Sequence, residues 1–312
     1  MDLSIIIINW NTRDLLAHCL ESVYANPPNS ELEVIVVDNH SSDASAAMVR
    51  TSFPQVRLFE NAENVGFVRA NNQALLKCRG RYVMLLNSDT IVKPDALTRM
   101  VSFLDEHPEA GIVGASVLNP DGTPQRCFGS FPTILSESAY AWGLDSSPLC
   151  SKWLVPAPLH SDECRQTDWV LGAALMVRRA ALDRVGYLDE EYFMYSEEID
   201  LCHRVKKDGW TNYVLAAAPI IHLGGQSAQQ IPAPMKAELF RSKVKYFRKH
   251  RGRLAAAFMH SVFALSILAR RAAYRLRGRK QTVGLWTDVW SYFVRKESHH
   301  DLALAQPGTV SD

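Results

Sequence analysis

The residues best suited to chemistry are Asp89, the run Ser196-Glu197-Glu198-Ile199-Asp200, and His222. Asp89 follows the apolar run Tyr82–Leu86 closely, in a partly dry setting where an unpaired carboxylate is costly. A divalent cation, Mg²⁺ or Mn²⁺, would remove that cost, because it prefers oxygen ligands, keeps open positions and can bridge a diphosphate. The alternative, Asp89 as N-cap of a helix opening at Pro94, sits five residues too early. Glu197, Glu198 and Asp200 put three carboxylates within four residues. Close like charges raise a carboxylate's pKa, which suits a general base acting on a hydroxyl. The competing reading is a set of first-turn acids favoured by the helix dipole. His222, before Leu223-Gly224-Gly225, is either a metal or phosphate contact or a satisfied structural histidine.

Other polar groups recur where apolar runs end: Asn9-Trp10-Asn11, Asp38-Asn39 before Ser41-Ser42-Asp43, and Asn87-Ser88-Asp89. Each alone could cap a turn or helix. Together, on the carboxyl rim of a parallel sheet, they predict a nucleotide pocket. The elements that must position them alternate. Strands are expected at Leu3–Ile8, Glu33–Val37, Val56–Phe59, Tyr82–Leu86 and Gly111–Leu118, with helices at Arg13–Tyr24, Ala44–Arg50, Phe67–Cys78 and Pro94–Glu106. Residues 129–167 read as a long irregular functional loop or subdomain. Regular structure resumes at Trp169–Arg178, continues in a helix from the N-cap Ser196 to about Lys207, and ends in strands Asn212–Leu215 and Ile220–His222.

Charge divides the chain. Residues 236–280 hold 14 of the 34 Lys and Arg but only one of the 33 acidic residues, Glu238, so an acidic body carries a basic tail. Within that tail, residues 254–269 are apolar apart from His260, Ser261 and Ser266. A spanning helix needs about 20 apolar residues. An interfacial amphipathic helix on anionic lipid is therefore preferred, with a short membrane hairpin or a buried packing helix as alternatives. The six cysteines contain no C-x-x-C pair, which argues against a zinc site or a disulfide scaffold and favours a reducing compartment. The N-terminus lacks a basic n-region, so no signal peptide is expected.

These pieces, in order, resemble family 2 glycosyltransferases, in particular a bacterial branch similar to rhamnosyltransferases and galactofuranosyltransferases. The resemblance spans about residues 3–250. It rests on Ser4-Ile5-Ile6-Ile7-Ile8-Asn9-Trp10-Asn11, the segment Val34 to Asp43, Asn64-Val65-Gly66-Phe67 with Arg69, Asn87-Ser88-Asp89, Gly172-Ala173, Phe193 to Cys202, and Ile221-His222-Leu223-Gly224-Gly225. It implies an α/β fold of GT-A type, Rossmann-like, with a mainly parallel sheet flanked by helices over residues 1–233, and a helical, basic, membrane-associating region over 234–312. In it Asp38 would recognise the base, while Asn9 and Arg69 would hold nucleotide and phosphate. Asn11, Asn39, Asn64, Asn87 and Ser88 complete the nucleotide-sugar set. Asp89 would bind the cation as last member of an Asp-x-Asp-type motif whose first position is Asn87 here, giving His222 more weight. Glu198 stands where the family carries a catalytic Asp, with Glu197 or Asp200 as alternative bases. The acceptor would lie beside Trp169 and Gly172.

The implied reaction is inverting transfer of a sugar, rhamnose from dTDP-rhamnose first and UDP-hexoses next, to a lipid-linked or cell-surface glycan. It would run on the cytoplasmic face of the plasma membrane, with the enzyme held peripherally by anionic lipid. A catalytically inactive sugar-nucleotide or glycan-binding protein is the rival reading, suggested by Asn87 and Glu198. A nucleotidyltransferase finds no support, since no Gly-rich phosphate loop is present. The apolar core of the basic tail fits lipid better than nucleic acid.

Overall fold

The computed structural model describes residues 1–145, 147, 156, 159 and 163–295. The chain divides into two compact units: Met1–Phe131 with Ala157–Asp189 and Glu197–Ser227, and Pro132–Pro156 with Glu190–Ser196 and Ala228–Asp312. The second unit thus joins two earlier pieces of the chain to the segment that begins at Ala228.

In the first unit, β1 (Leu3–Asn9), β2 (Leu32–Asp38), β3 (Arg57–Glu60) and β4 (Tyr82–Asn87) form a parallel run in the order β3-β2-β1-β4. Their nearly unbroken β-branched and aliphatic runs suit strands covered on both faces. Helices α1 (Arg13–Ala25), α2 (Ser45–Ser52) and α3 (Phe67–Leu75) cross between them. From α1, Leu16, Cys19, Leu20 and Val23 pack into the core with Ile5, Ile7, Val34, Val36 and Met84.

Beyond β4 the expectations need revision. A short strand β5 (Thr90–Val92) follows Asp89 at once, and α4 (Ala96–Glu106) starts two residues after Pro94, behind Asp95 at a φ of 63°. Pro94 therefore sits in the preceding turn, not in the helix. After β6 (Ala110–Leu118), the described parts of the 129–167 stretch, expected as an irregular loop or subdomain, contribute regular elements, and the remainder of that reading lies outside the described residues. They are β7 (Phe128–Gly129), α5 (Ile134–Trp142) and β8 (Cys164–Thr167). The segment Trp169–Arg178 divides into β9 (Trp169–Val170), which pairs with β7, and β10 (Ala174–Arg178). β10 inserts antiparallel between β4 and β6, which makes the sheet mixed. Helix α6 (Arg179–Val185) and helix α7 (Glu197–Lys207) follow, and the two short strands expected at 212–222 are one, β11 (Thr211–His222), irregular between Leu215 and Pro219.

The second unit contains α5 and three longer helices, α8 (Pro232–Arg251), α9 (Arg253–Leu276) and α10 (Lys280–Val294). Pro232 opens α8 where its missing N–H costs nothing, and Gly252, at a φ of 89°, makes the turn into α9. Their core is aromatic: Phe240 stacks on Phe263 at 4.9 Å and meets Phe293 edge-on at 6.3 Å, with Met259, Ile267 and Val289 buried around them. Residues 190–196 are tied to α8 by Ser242 Oγ donating to Met194 O at 2.8 Å, Lys245 Nζ to Glu191 O at 2.8 Å and the Arg248–Glu191 ion pair at 2.6 Å. Lys243 joins α5 through Glu137 at 2.6 Å.

Candidate active site

The carboxyl ends of β1, β2 and β4 meet in one polar network. Parallel register puts Asn9 opposite Asp38. Asn9 Nδ2 donates to Asp38 Oδ1 at 3.1 Å, and Ser41 N donates to Asp38 Oδ2 at 2.9 Å. Thr12 Oγ1 donates to Asn9 Oδ1 at 2.7 Å and lies 3.0 Å from Ser88 Oγ, which carries the network from β1 to the loop after β4. Asn11 receives Ser42 N on its side chain at 2.7 Å and gives its own N–H to Ser41 Oγ at 3.0 Å. Asn39 Nδ2 donates to Asn64 Oδ1 at 2.7 Å, fixing the loop that enters α3, and Arg69 stands exposed on that helix's first turn.

Backbone strain collects on the same rim. Asn11, His40 and Ala44 have φ values of 52°, 67° and 64°, a region that L residues other than Asn and Asp rarely adopt. Such strain persists only where surrounding contacts over-determine it, as they do in binding loops.

Asp89 and His222 form the second part. The register between β5 and β11 sets Thr90 opposite His222, so the end of a late strand returns to the turn that follows β4. Both side chains are buried, and His222 Nε2 lies 3.3 Å from Asp89 Oδ1. Asn87 Nδ2 is 3.4 Å from the same Nε2. Gln226 N donates to Asp89 Oδ2 at 3.3 Å and Leu223 N to Asp89 O at 2.9 Å, so the glycine turn after β11 wraps this carboxylate. Gly224 and Gly225 make that turn at φ values of 78° and 62°. Burial pushes the Asp89 carboxyl upward, but the His222 hydrogen bond and charge and the Gln226 N–H outweigh it, holding the group below its ordinary value.

This donor set fits a divalent cation in kind: one carboxylate oxygen and one imidazole nitrogen converge, with bonds long enough to be replaced. Among the described residues no group of three His, Cys, Asp or Glu gathers, so further ligands would be phosphate oxygens and water.

Glu198 forms the third part. The insertion of β10 beside β4 brings Ala173 next to Asn87, whose N–H donates to Ala173 O at 3.0 Å. Gly172 then lies against Glu198: a Cβ there would meet Glu198 Cβ at 3.4 Å and Cγ at 3.6 Å, ordinary contact distances that make the two residues neighbours. Trp169 is held by Nε1 donating to Ser130 O at 2.9 Å. The two other acids of the helix's first turn sit deeper. Glu197 is buried, and Asp200, fully buried, pairs with Arg204 Nε at 2.8 Å. Arg204 in turn donates to Val185 O, Gly186 O and Tyr187 O, closing the end of α6.

Asp38, Asp89, Glu198 and His222, spread over 185 positions, are thus linked by contacts along one edge of the sheet. Thr12, Gln125 and Gln226 also build this edge and were not anticipated, while Ser41 belongs to the polar turn already expected there. For Thr12 a signal existed in its place three residues beyond the end of β1. For Gln125 there was none, because its partner lies 97 residues away.

Residues 4–144 match the family model described as Glycosyl transferase family 2. The chain is 26% identical over 218 residues to the N-acetylglucosaminyl-diphospho-decaprenol L-rhamnosyltransferase of Mycobacterium tuberculosis, covering 65% of this chain and 70% of that one. Among solved structures, it is similar to a mannosyltransferase from Pyrobaculum calidifontis in complex with GDP-Man and Mn²⁺. The TM-score is 0.55 and the identity 17%, over 94% of this chain and 84% of that one. GalNAc-T7 with UDP, GalNAc and Mn²⁺ is similar at TM-score 0.55 and 14% identity, over 71% of this chain and 43% of that one.

Proposed function

We propose, from the premise that this chain is a family 2 glycosyltransferase of GT-A fold, that it moves a sugar from a nucleotide donor to a lipid-linked glycan with inversion. The observation that carries this reading is the contact chain from Asp38 through Asn9, Thr12 and Ser88 to the Asp89–His222 pair, with Glu198 beside Gly172 at its far end. It provides, in order, a place for a base, a diphosphate and a reacting sugar.

In this reading Asp38, oriented by Asn9 and Ser41, receives the donor's base. Asn11, Asn39 and Asn64 shape the loops around the nucleotide, and Arg69, Asn87 and Ser88 face its phosphates. Asp89 and His222 would hold a divalent cation, which would supply charge neutralisation for a nucleoside diphosphate leaving group. Glu198 takes the proton from the acceptor hydroxyl as the acceptor oxygen attacks the anomeric carbon. Gly172 lies beside that arm and Trp169 offers the acceptor an aromatic face. Glu197 and Asp200 serve better as positioning groups than as bases, since Asp200 is committed to Arg204. Rhamnose is the first donor sugar to test, and a lipid diphosphate the first acceptor, because the mycobacterial relative's name specifies both.

The second unit supplies the surface role. Helix α9 is long and apolar enough for a span by length and composition alone. Yet Ala256, Met259, Phe263, Ser266 and Ile267 are buried in its own unit, so it is no detachable tail. Its opposite face exposes Leu254, Phe258, Ser261, Leu265 and Leu268 at steps of four and three, between Arg251 and Arg253 at one end and Arg271, Arg275 and Arg277 at the other. That pattern suits a helix lying in an anionic interface, here the cytoplasmic leaflet, with the protein peripheral.

Screening sugar nucleotides by thermal stabilisation and donor hydrolysis, with and without Mn²⁺, tests the site. Stabilisation by dTDP-rhamnose with slow metal-dependent hydrolysis is expected. Stabilisation without any transfer would favour the inactive binding protein, and no response to any sugar nucleotide would remove the proposal. Replacing Leu254, Phe258 and Leu265 by Ser tests the surface: loss of binding to anionic vesicles is expected, with the melting temperature kept.

A further inference from the structure

Gln125 lies beyond the Asn119–Gly122 turn, where its backbone is already fixed by Gln125 N donating to Val117 O at 2.8 Å and by the bridge between Leu118 and Pro124. Its side chain is not needed for that hairpin. Instead it clamps His222 twice: Nε2 donates to the His222 carbonyl at 2.6 Å, and Oε1 lies 3.1 Å from His222 Nδ1. The first bond fixes the amide's orientation, because only the nitrogen can donate to a carbonyl. Oε1 must then be the atom facing Nδ1, and as an acceptor it requires a proton there. In the neutral ring the lone pair consequently sits on Nε2, between Asn87 Nδ2 at 3.4 Å and Asp89 Oδ1 at 3.3 Å. Protonated, the ring donates from Nε2 to Asp89; neutral, it turns a lone pair toward that carboxylate, and a cation between the two would be ligated by both.

We infer that Gln125 is a positioning residue that locks His222 in its Nδ1–H tautomer and aims Nε2 at the space beside Asp89. The inference rests on the reading of Asp89 and His222 as the cation site and names the group that prepares it. Without the Oε1 acceptor, the neutral ring gains by moving its proton to Nε2 and donating to Asp89. That tautomer has no lone pair to offer. Acceptors that hold the far nitrogen of a ligating histidine change metal affinity by about 10–100-fold.

The test uses the full chain without metal, at a pH where the His222 ¹⁵N shifts themselves report a neutral ring. Long-range ¹H–¹⁵N spectra report the His222 tautomer, and Mn²⁺ titration followed by electron paramagnetic resonance reports affinity. Wild type should show the Nδ1–H form. Gln125→Leu should shift His222 to the Nε2–H form and weaken Mn²⁺ about 10–100-fold. Gln125→Glu, which keeps the acceptor but loses the donor to the carbonyl, should restore the Nδ1–H form and most of the affinity. An Nε2–H ring in wild type, or a Gln125→Leu protein with unchanged tautomer and affinity, overturns the inference. A wild-type protein with the Nδ1–H ring that binds no Mn²⁺ overturns the cation reading while upholding the hold of Gln125 on the ring.

Discussion

Strand β2 carries a buried carboxylate at each end, and the two ends differ in how completely the protein satisfies them. Glu33, near the amino end, accepts from Ser4 Oγ at 2.6 Å, Arg79 N at 2.6 Å and Arg57 Nη1 at 2.8 Å. Burial pushes its carboxyl up, but these donors together draw it below its ordinary 4.5. Short bonds from fixed donors leave little for a ligand to improve. At the carboxyl rim, Asp38 keeps two oriented contacts, and Asp89, after the neighbouring strand, is met at the longer distance of 3.3 Å by His222 and by Gln226 N among the described residues. The same sheet thus has a closed end and an open end, and incomplete satisfaction of a buried charge is what marks a place for a partner.

The largest expected effects belong to the open end. Glu198→Gln should lower kcat about 10²–10⁴-fold with donor KM little changed, as loss of a general base does. Burst or steady-state transfer assays check this, and near-normal turnover would move the base elsewhere. Asp89→Ala should cost about 10²–10³-fold in transfer and abolish its dependence on added Mn²⁺. Full activity of that variant in chelator would erase the contrast between the ends.

The closed end should respond in stability, not in chemistry. Glu33→Gln should lower unfolding free energy by about 1–3 kcal/mol, because donors are left poorly matched while Arg57 and Arg79 can still turn to water. Transfer at low temperature should be unchanged. Because the folded-state value of Glu33 is depressed, its stabilisation is full above its ordinary 4.5 and is lost as pH falls through the depressed value. Glu33→Gln should therefore flatten acid destabilisation, measured by urea midpoints between about pH 5 and 2. An identical slope in both proteins would show that another group dominates.

The smallest effect probes how rigid the open end is. Cys19 lies beneath it, its Sγ 3.6 Å from Asn87 O, and burial pushes its thiol up to about 12. Cys202, behind Glu198, is pushed equally to about 12 by burial. At pH 8 a thiol reagent should label exposed Cys164 at once and spare these two until the protein unfolds. Early labelling of Cys19 would mean that the floor of the site opens in the native state.

Much of this contrast was legible in the residues. The runs at β1, β2 and β4 are continuous enough to announce buried parallel strands, and polar triplets at their ends announce a rim. The basic, apolar stretch that became α9 announced a two-faced helix, although not which face would be buried. The antiparallel entry of β10 and the short β5 were not readable. Each depends on a partner far along the chain and has no period long enough to stand out. The assignment of residues 190–196 to the second unit was hidden for the same reason. Ser242, Lys245 and Arg248 decide it from about 50 residues away.

By itself the sequence determined which groups could do chemistry and that several would share one sheet edge, because strand polarity and the period of apolar residues are local properties. Only the tertiary structure decided which of those groups are satisfied. Whether a buried carboxylate is closed, like Glu33 and Asp200, or open, like Asp89, depends on donors that other strands and helices bring to it. That is a property of distance in space, which order along the chain does not encode residue by residue.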